Sequence, residues 1–158
     1  MSNTLELYTN SAGSRGYGAV FGKHWLYGKW PHAWHHLNIA TLKFFPNVIA
    51  LHIWGPKMSN KCILLFTDNA TLVDIINKQT SKDKGIMILI HTLVLCCLSV
   101  NILFCSPHIP RFLNMRANCL SCFQVDDFKA LTPDADALPT SVQEDLLSER
   151  WSITWKPY

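Results

Sequence analysis

The sequence predicts an α/β domain with a five-stranded mixed sheet flanked by helices. Two observations predict this fold class. Short segments rich in β-branched and aromatic residues occur along the chain together with segments of helical periodicity. Their order, a trio of strands followed by helices and further strands, is typical of a mixed sheet with helices packed against it.

The predicted strands are short and rich in β-forming residues. Five segments have this character, at residues 5–9, 17–21, 24–30, 61–67 and 101–105. The first alternates between its two faces, as a half-buried strand does. Gly22 and Lys23 join the second strand to the third, and so short a link predicts a β-hairpin.

The predicted helices follow the strand trio. Four segments have helical patterns, at residues 43–54, 69–77, 85–100 and 114–123. In the first of them, Pro46 fits only near the first turn, where its missing N–H costs least. Asn47 has apolar neighbours, and a buried amide without a partner would cost about 1–3 kcal/mol there. We therefore expect Asn47→Ile to raise the melting temperature if that amide is unpaired.

One apolar stretch is long enough to span a bilayer. Residues 86–105 contain no charged side chain. His91, Ser99 and Asn101 interrupt the stretch, and no basic cluster flanks it to set an orientation. A buried helix followed by a strand explains the same pattern, so the sequence favours core elements over a membrane span.

Composition is that of one folded domain. The chain has 158 residues, of which 49% are hydrophobic, and a net charge of +3 that permits nucleic-acid binding without demanding it. No signal-peptide pattern precedes the six cysteines. We therefore expect reduced thiols without a disulfide framework, in an intracellular protein that is cytoplasmic or nuclear. Cys119 and Cys122 form a lone CxxC pair, and a zinc site needs a second pair of ligands.

The character of the chain changes at about residue 124. Acidic residues gather there with Pro133 and Pro139, and no continuous periodic face accompanies them. The sequence therefore predicts a domain over residues 1–123 and an acidic linker or tail over residues 124–158 that is largely disordered.

Asp68 is the most informative residue of the chain. It follows the apolar fourth strand and opens the segment Asp68-Asn69-Ala70 before a helix. A nuclease presents a metal-binding carboxylate at such a strand end. A simpler interpretation is that Asp68 caps the helix that follows it.

Four local motifs extend the first interpretation. They lie at residues 8–13, 38–46, 66–69 and 108–123. In this order they resemble a ribonuclease H domain of the retroelement type, most of all the domain that follows reverse transcriptase in DIRS-type retrotransposons. The resemblance runs from about residue 5 to residue 128. Arg111 stands where the family has Gly after His-Ile-Pro.

The resemblance implies a ribonuclease H-like fold. The family cuts the RNA strand of an RNA·DNA hybrid with two Mg²⁺ ions, which four carboxylates hold. The four carboxylate positions fall at Asn10, Lys43, Asp68 and Asn118, so Asp68 alone keeps its charge. His108 falls at the position of the family's histidine that aids turnover. One carboxylate is too few for two Mg²⁺ ions, so no cofactor is expected in this chain.

These departures predict a catalytically inactive relic. Asp to Asn and Glu to Lys each follow from a single G-to-A change in a codon, a pattern typical of decaying transposon DNA. Two alternatives stay open. One is a non-cleaving module that binds an RNA·DNA hybrid or another nucleic acid through Ser11, Asn69 and lysines. The other is a ribonuclease H with residual activity. No membrane partner is expected.

Overall fold

A five-stranded sheet forms the centre of the fold. The computed structural model describes residues 4–13, 15–35, 37 and 39–147. The strands in this part of the chain are β1 (Thr4–Ser11), β2 (Gly16–Phe21), β3 (His24–Lys29), β4 (Cys62–Phe66) and β5 (Leu103–Cys105). Their order across the sheet is β3-β2-β1-β4-β5. β1 runs antiparallel to β2 and parallel to β4, so the predicted mixed sheet is confirmed.

The β2–β3 hairpin turns where the sequence predicts it. Phe21 pairs with His24 across the two-residue link, and Gly22 adopts a φ of +58°. Glycine reaches such positive φ values without the steric cost that a side chain adds. β3 is the end strand of the sheet, so the backbone N–H and C=O groups along its outer edge have no partner strand among those that the structure describes.

The helices of the described residues are α1 (Ile39–Trp54), α2 (Ala70–Lys78), α3 (Lys84–Ser99), α4 (Met115–Ser121) and α5 (Val125–Leu131). The bounds of α2, α3 and α4 lie within one or two residues of the prediction. α1 begins earlier, so Pro46 lies inside the helix and its predicted place in the first turn is wrong. An interior proline costs about 3 kcal/mol. Burial of the neighbours Phe44, Phe45 and Val48 offsets that cost.

Helices cover both faces of the sheet, and alternate residues of β2 face opposite sides. Tyr17 and Ala19 belong to the main core, which includes the buried residues of α1 and α3. Gly18 faces α4, because a Cβ built there would lie 2.5 Å from the Cβ of Leu120. α1 therefore packs on one face, and α4 approaches the other closely enough to require a glycine.

The apolar stretch from Ile86 forms a helix and a strand, as predicted. α3 packs against α1 and buries Ile86, Leu89 and Leu93. In the described part of the chain, no helix combines the length and the apolar character that crossing a membrane requires.

The six cysteines have free thiols. Burial raises the pKa of Cys96 to about 11 and that of Cys97 to about 12. Both thiols therefore stay protonated at neutral pH, which makes them poor nucleophiles and poor metal ligands. Burial also raises the pKa of the Cys119 thiol, with smaller contributions from Asp127 and Cys122.

Asn47 is fully buried in α1, and its amide is paired. Thr9 Oγ1 of β1 donates to Asn47 Oδ1 at 3.2 Å, and Asn47 Nδ2 donates to the carbonyl oxygen of Phe44 at 3.3 Å. An unpaired amide is therefore not the cause of any instability here, and the condition for a stabilising Asn47→Ile change is not met. The Thr9–Asn47 pair instead ties α1 to the strand that carries Asn10.

We expect Asn47→Leu to lower the free energy of unfolding by about 1–3 kcal/mol, because the buried Thr9 hydroxyl would lose its acceptor. Adding Thr9→Val should restore most of the loss, since no orphaned hydroxyl then remains. Chemical denaturation of both single variants and the double variant measures the coupling between the two side chains. An Asn47→Leu variant as stable as the unmodified protein would contradict this account.

The predicted disordered tail is wrong for residues 124–147. α5 buries Phe128 against Trp25 of β3, with ring centroids 5.0 Å apart. Further along, Leu146 is buried in the main core. The sequence pattern does not reveal this packing, because single buried side chains, Phe128 and Leu146, hold the segment rather than a periodic apolar face. Residues 148–158 of the predicted tail lie outside the described residues.

Residues 136–140 also cover the outer edge of β3. The backbone N–H of Asp136 donates to the carbonyl oxygen of Lys23 at 2.9 Å, and that of Thr140 donates to Trp25 at 2.7 Å. The indole N–H of Trp25 donates to the carbonyl oxygen of Asp136 at 2.7 Å. His24 Nδ1 lies 2.7 Å from Asp136 Oδ2. These contacts satisfy strand-edge groups that would otherwise pair with another chain.

Candidate functional site

The ends of the two parallel strands β1 and β4 bring Asn10 and Asp68 to one edge of the sheet. The two strands pair in register up to Tyr8 and Phe66. Asn10 and Asp68 each follow two residues later. Because side chains alternate along a strand, the side chain of Asn10 lies on the same face of the sheet as that of Tyr8. In the same way, the side chain of Asp68 lies on the same face as that of Phe66.

Two helices bring the other positions of the resemblance to the same edge. Lys43 lies in the second turn of α1, and Asn118 lies in α4. With Asn10 and Asp68 they line a single cleft of about 360 Å³. That volume falls at the low end of the range for small-molecule sites, which is about 300–1,000 Å³. Six further residues line this Asn10–Asp68 cleft: Ser11, Ala12, Gly13, Asn69, Arg111 and Cys122.

The amides of Asn10 and Asn118 are bonded to each other. Asn10 Nδ2 donates to Asn118 Oδ1 at 3.2 Å and to Ser121 Oγ at 2.9 Å. Ser121 Oγ in turn donates to the carbonyl oxygen of Asn118 at 2.8 Å. Two carboxylates at this separation would repel unless a cation lay between them, whereas two amides attract. This network holds β1 against α4 without a metal ion.

Asp68 does not cap the helix that follows it. The N-cap of α2 is Asn69, whose Oδ1 accepts the N–H of Leu72 at 2.9 Å. Asp68 is half-buried and lines the cleft. The simpler interpretation of Asp68 as a cap is therefore wrong, and Asp68 instead contributes to the lining of the cleft.

Ser11 and Asn69, the residues predicted to bind nucleic acid, both line the cleft. Ser11 is buried, its Oγ donates to the carbonyl oxygen of Gly13 at 3.1 Å, and it accepts the indole N–H of Trp30 at 3.1 Å. The hydroxyl hydrogen of Ser11 is thus already engaged in a hydrogen bond within the protein. Asn69 uses one lone pair of its amide oxygen for the cap, which leaves its amide nitrogen to donate to a ligand.

His108 lies beside this site but does not line it. It forms a parallel β-bridge with Thr67, the residue before Asp68. Its side chain is exposed, and the cleft-lining residues in the described part of the chain do not include it.

The charges of the cleft are inverted relative to a carboxylate site. Lys43 and Arg111 are its cations, and Asp68 is its carboxylate. The sequence predicted Lys43 at this site, whereas Arg111 was noted only as a departure from the resemblance and was given no role in the cleft.

These side chains do not fit two Mg²⁺ ions. Mg²⁺ requires oxygen ligands in near-octahedral geometry, and an ammonium group supplies none. Asp68 supplies one carboxylate, while the amides of Asn10 and Asn118 are engaged with each other. Among the described residues, no group of three or more His, Cys, Asp or Glu side chains is arranged to hold a metal ion.

Comparisons with known proteins find chains of similar fold among solved structures. No family model and no curated protein matches the chain. Ribonuclease H1 from the archaeon Halobacterium salinarum matches with a TM-score of 0.56 and 16% identity, over 78% of this chain and 98% of that one. The N-terminal ribonuclease H domain of a Mycobacterium tuberculosis protein matches with a TM-score of 0.57 and 14% identity, over 81% and 97%.

A third match is a ribonuclease H1 isolated from compost, solved in complex with an RNA/DNA hybrid. Its TM-score is 0.55 at 16% identity, over 82% of this chain and 99% of that one. These matches and the sheet order define the class of protein: the chain has a ribonuclease H-like fold, as the resemblance implied. At such identities the fold is shared, and the chemistry has to be argued from the cleft itself.

Proposed function

We propose that this chain is a retroelement-derived ribonuclease H-like domain that does not hydrolyse RNA·DNA hybrids. The observation that carries the proposal is the composition of the Asn10–Asp68 cleft. Asn10, Lys43 and Asn118 occupy the places where the family resemblance puts carboxylates, and Asp68 alone supplies one. A site that activates water with two Mg²⁺ ions has lost most of the charge that binds them.

The magnitude of the charge change supports inactivity. Two unit charges about 4 Å apart interact by roughly 4 kcal/mol at an effective dielectric near 20, so Lys43 facing a divalent ion costs up to about 8 kcal/mol. Rotation of the flexible lysine lowers this figure. Even a quarter of it, about 2 kcal/mol, weakens ion binding more than tenfold.

The motifs of the chain support an origin in a retroelement. Tyr8-Thr9, Phe66-Thr67-Asp68-Asn69 and His108-Ile109-Pro110 are retained in the order of the retroelement domain. The three changed ligand positions, Asn10, Lys43 and Asn118, replace an acidic residue of the family by its amide or by lysine, and Arg111 stands where the family has Gly. Changes that concentrate on the ligand positions and on one neighbouring loop residue, on a complete five-stranded sheet, support a degenerate copy of a working nuclease.

The test is a cleavage assay on a labelled RNA·DNA hybrid with Mg²⁺ and, separately, Mn²⁺. We expect no cleavage above the buffer control, because the cleft lacks the ligands for either ion. Asp68→Asn serves as the matched control, since it removes the last carboxylate while keeping the shape of the side chain. Cleavage by the unmodified protein that disappears in Asp68→Asn would overturn the proposal.

A non-cleaving nucleic-acid-binding module is the second candidate. The observation in its favour is that Lys43 and Arg111 outnumber Asp68 in the cleft. The compost ribonuclease H1 with the same fold was solved with an RNA/DNA hybrid, which supports a nucleic-acid partner for this chain. This candidate and the inactive relic differ in whether the cleft still binds nucleic acid.

A further inference from the structure

The Asn10–Asp68 cleft presents uncompensated positive charge. Lys43 enters it from α1, and Arg111 enters it from the 3-10 turn (Arg111–Asn114) that precedes α4. Across the described residues, neither of these cations nor Asp68 forms an ion pair within 4.0 Å. The cleft therefore offers two cations whose charge no protein group in that part of the chain neutralises at contact distance.

Both cations are carried by elements that are fixed in the fold. Lys43 lies between the buried residues Leu42 and Phe44 of α1. The Arg111 turn is tied to β1, because Asn114 Nδ2 donates to the carbonyl oxygen of Thr9 at 2.9 Å. A ligand between them would meet charges held in place by the sheet, so little ordering of the backbone would oppose binding.

We propose that the cleft is a metal-independent phosphate site, in which Lys43 and Arg111 bind a phosphate group of a nucleic-acid strand or a free phosphate. The inference rests on the proposed function, because Mg²⁺ ions in the cleft would occupy the same space. It goes beyond that function by assigning a ligand to the residues that prevent catalysis.

The chemistry of the cleft suits a phosphate. The planar guanidinium of Arg111 can donate two parallel hydrogen bonds to phosphate oxygens, and the ammonium of Lys43 adds a point charge. Gly13 has a φ of +57°, and a Cβ built there would meet nothing within 4 Å, so the backbone leaves room for a ligand. The carboxylate of Asp68 opposes an anion and weakens the site without cancelling it.

An exposed aromatic ring beside the cleft favours a nucleic-acid strand as the source of the phosphate. Phe112 follows Arg111 in the chain and is 72% exposed. Stacking of a base on an exposed aromatic ring stabilises single-stranded complexes by sequence-independent contact. A strand with its phosphate between Lys43 and Arg111 could place a neighbouring base on Phe112.

The test is fluorescence anisotropy of a labelled single-stranded oligodeoxynucleotide in EDTA. We expect a Kd of about 10⁻⁴ to 10⁻⁶ M at physiological salt. Lys43→Ala and Arg111→Ala should each weaken binding by about tenfold and reduce the slope of log K against log salt by about 0.7. Lys57→Ala is the matched control, since Lys57 is exposed in the 3-10 turn Gly55–Met58, near the opposite end of β4.

Two further measurements distinguish the sources of the phosphate. Phe112→Ala should weaken oligonucleotide binding while leaving competition by inorganic phosphate unchanged. If inorganic phosphate raises the melting temperature of the unmodified protein but not of Lys43→Ala, and Phe112→Ala has no effect, the source is free phosphate. Addition of Mg²⁺ should not strengthen binding of the oligonucleotide in either case.

The inference is overturned if the unmodified protein binds neither probe in EDTA. It is equally overturned if Lys57→Ala weakens binding as much as Lys43→Ala and Arg111→Ala do, because the charge would then act without the cleft. Melting curves of each variant exclude loss of folding as the cause. Neither result affects the proposed absence of hydrolysis, which the cleavage assay tests separately.

Discussion

Phe128→Ala should lower the free energy of unfolding by about 3–5 kcal/mol, because it empties a fully buried aromatic site between α5 and β3. For a chain of this size that loss corresponds to a fall in melting temperature of roughly 6–20 °C. The reason is that Phe128 closes the second apolar cluster of the fold, which also contains Val20, Trp25 and Leu120. Thermal denaturation followed by circular dichroism measures the change.

Leu131→Ala is the control for this prediction. Leu131 lies in the same helix, α5, but is 54% exposed. Its truncation should change the free energy of unfolding by about 0.5 kcal/mol or less. If Phe128→Ala were as mild as Leu131→Ala, the segment after residue 123 would be only loosely associated with the sheet, and the sequence-based boundary there would regain support.

The strands and most helices could be predicted because their signals are local. β-rich composition, a two-residue link at Gly22 and apolar periodicity in α2 and α3 each depend on neighbouring residues. The role of residues 124–147 was missed because it depends on distant partners. An acidic segment with one Phe128 gives no periodic signal, and its function as cover for β3 becomes visible only when the Trp25 ring lies beside it.

In the site, too, features with local sequence signals could be predicted, whereas features that depend on distant residues could not. The resemblance carried by four motifs predicted that Asn10, Lys43, Asp68 and Asn118 belong together, and the fold brings all four to one cleft. The hydrogen bond from Asn10 to Asn118 could not be predicted, since it depends on a helix that lies more than a hundred residues later. The alternative interpretation of Asp68 as the α2 cap differs from the structure by one residue, because Asn69 is the cap.

Restoration of catalysis should require the whole ligand set. We expect the triple variant Asn10→Asp, Lys43→Glu and Asn118→Asp to gain Mg²⁺-dependent cleavage of an RNA·DNA hybrid by about 10³-fold or more over the unmodified protein. A single preorganised electrostatic contact is worth about 10²–10³ in rate, and here three are added at once. Lys43→Glu alone should stay inert, because two carboxylates cannot balance two divalent ions.

The triple variant should also reveal metal binding without any reaction. Asn10 Nδ2 and Asn118 Oδ1 lie 3.2 Å apart, and carboxylate oxygens at that distance repel by up to about 5 kcal/mol at an effective dielectric near 20. The variant should therefore melt at a lower temperature than the unmodified protein in EDTA and recover when Mg²⁺ is added. Asp68→Asn on the triple background should abolish both the recovery and the cleavage.

A triple variant that binds Mg²⁺ but does not cleave would direct attention to Arg111. Arg111 lines the cleft at the position where the resemblance to the retroelement domain has glycine, and it would remain a cation beside the restored metal site. Arg111→Gly added to the triple variant should then raise the cleavage rate, because it removes both the charge and the bulk. If the fourfold variant folds, binds Mg²⁺ and still fails to cleave, loss of the metal ligands and intrusion of Arg111 do not account for the proposed inactivity.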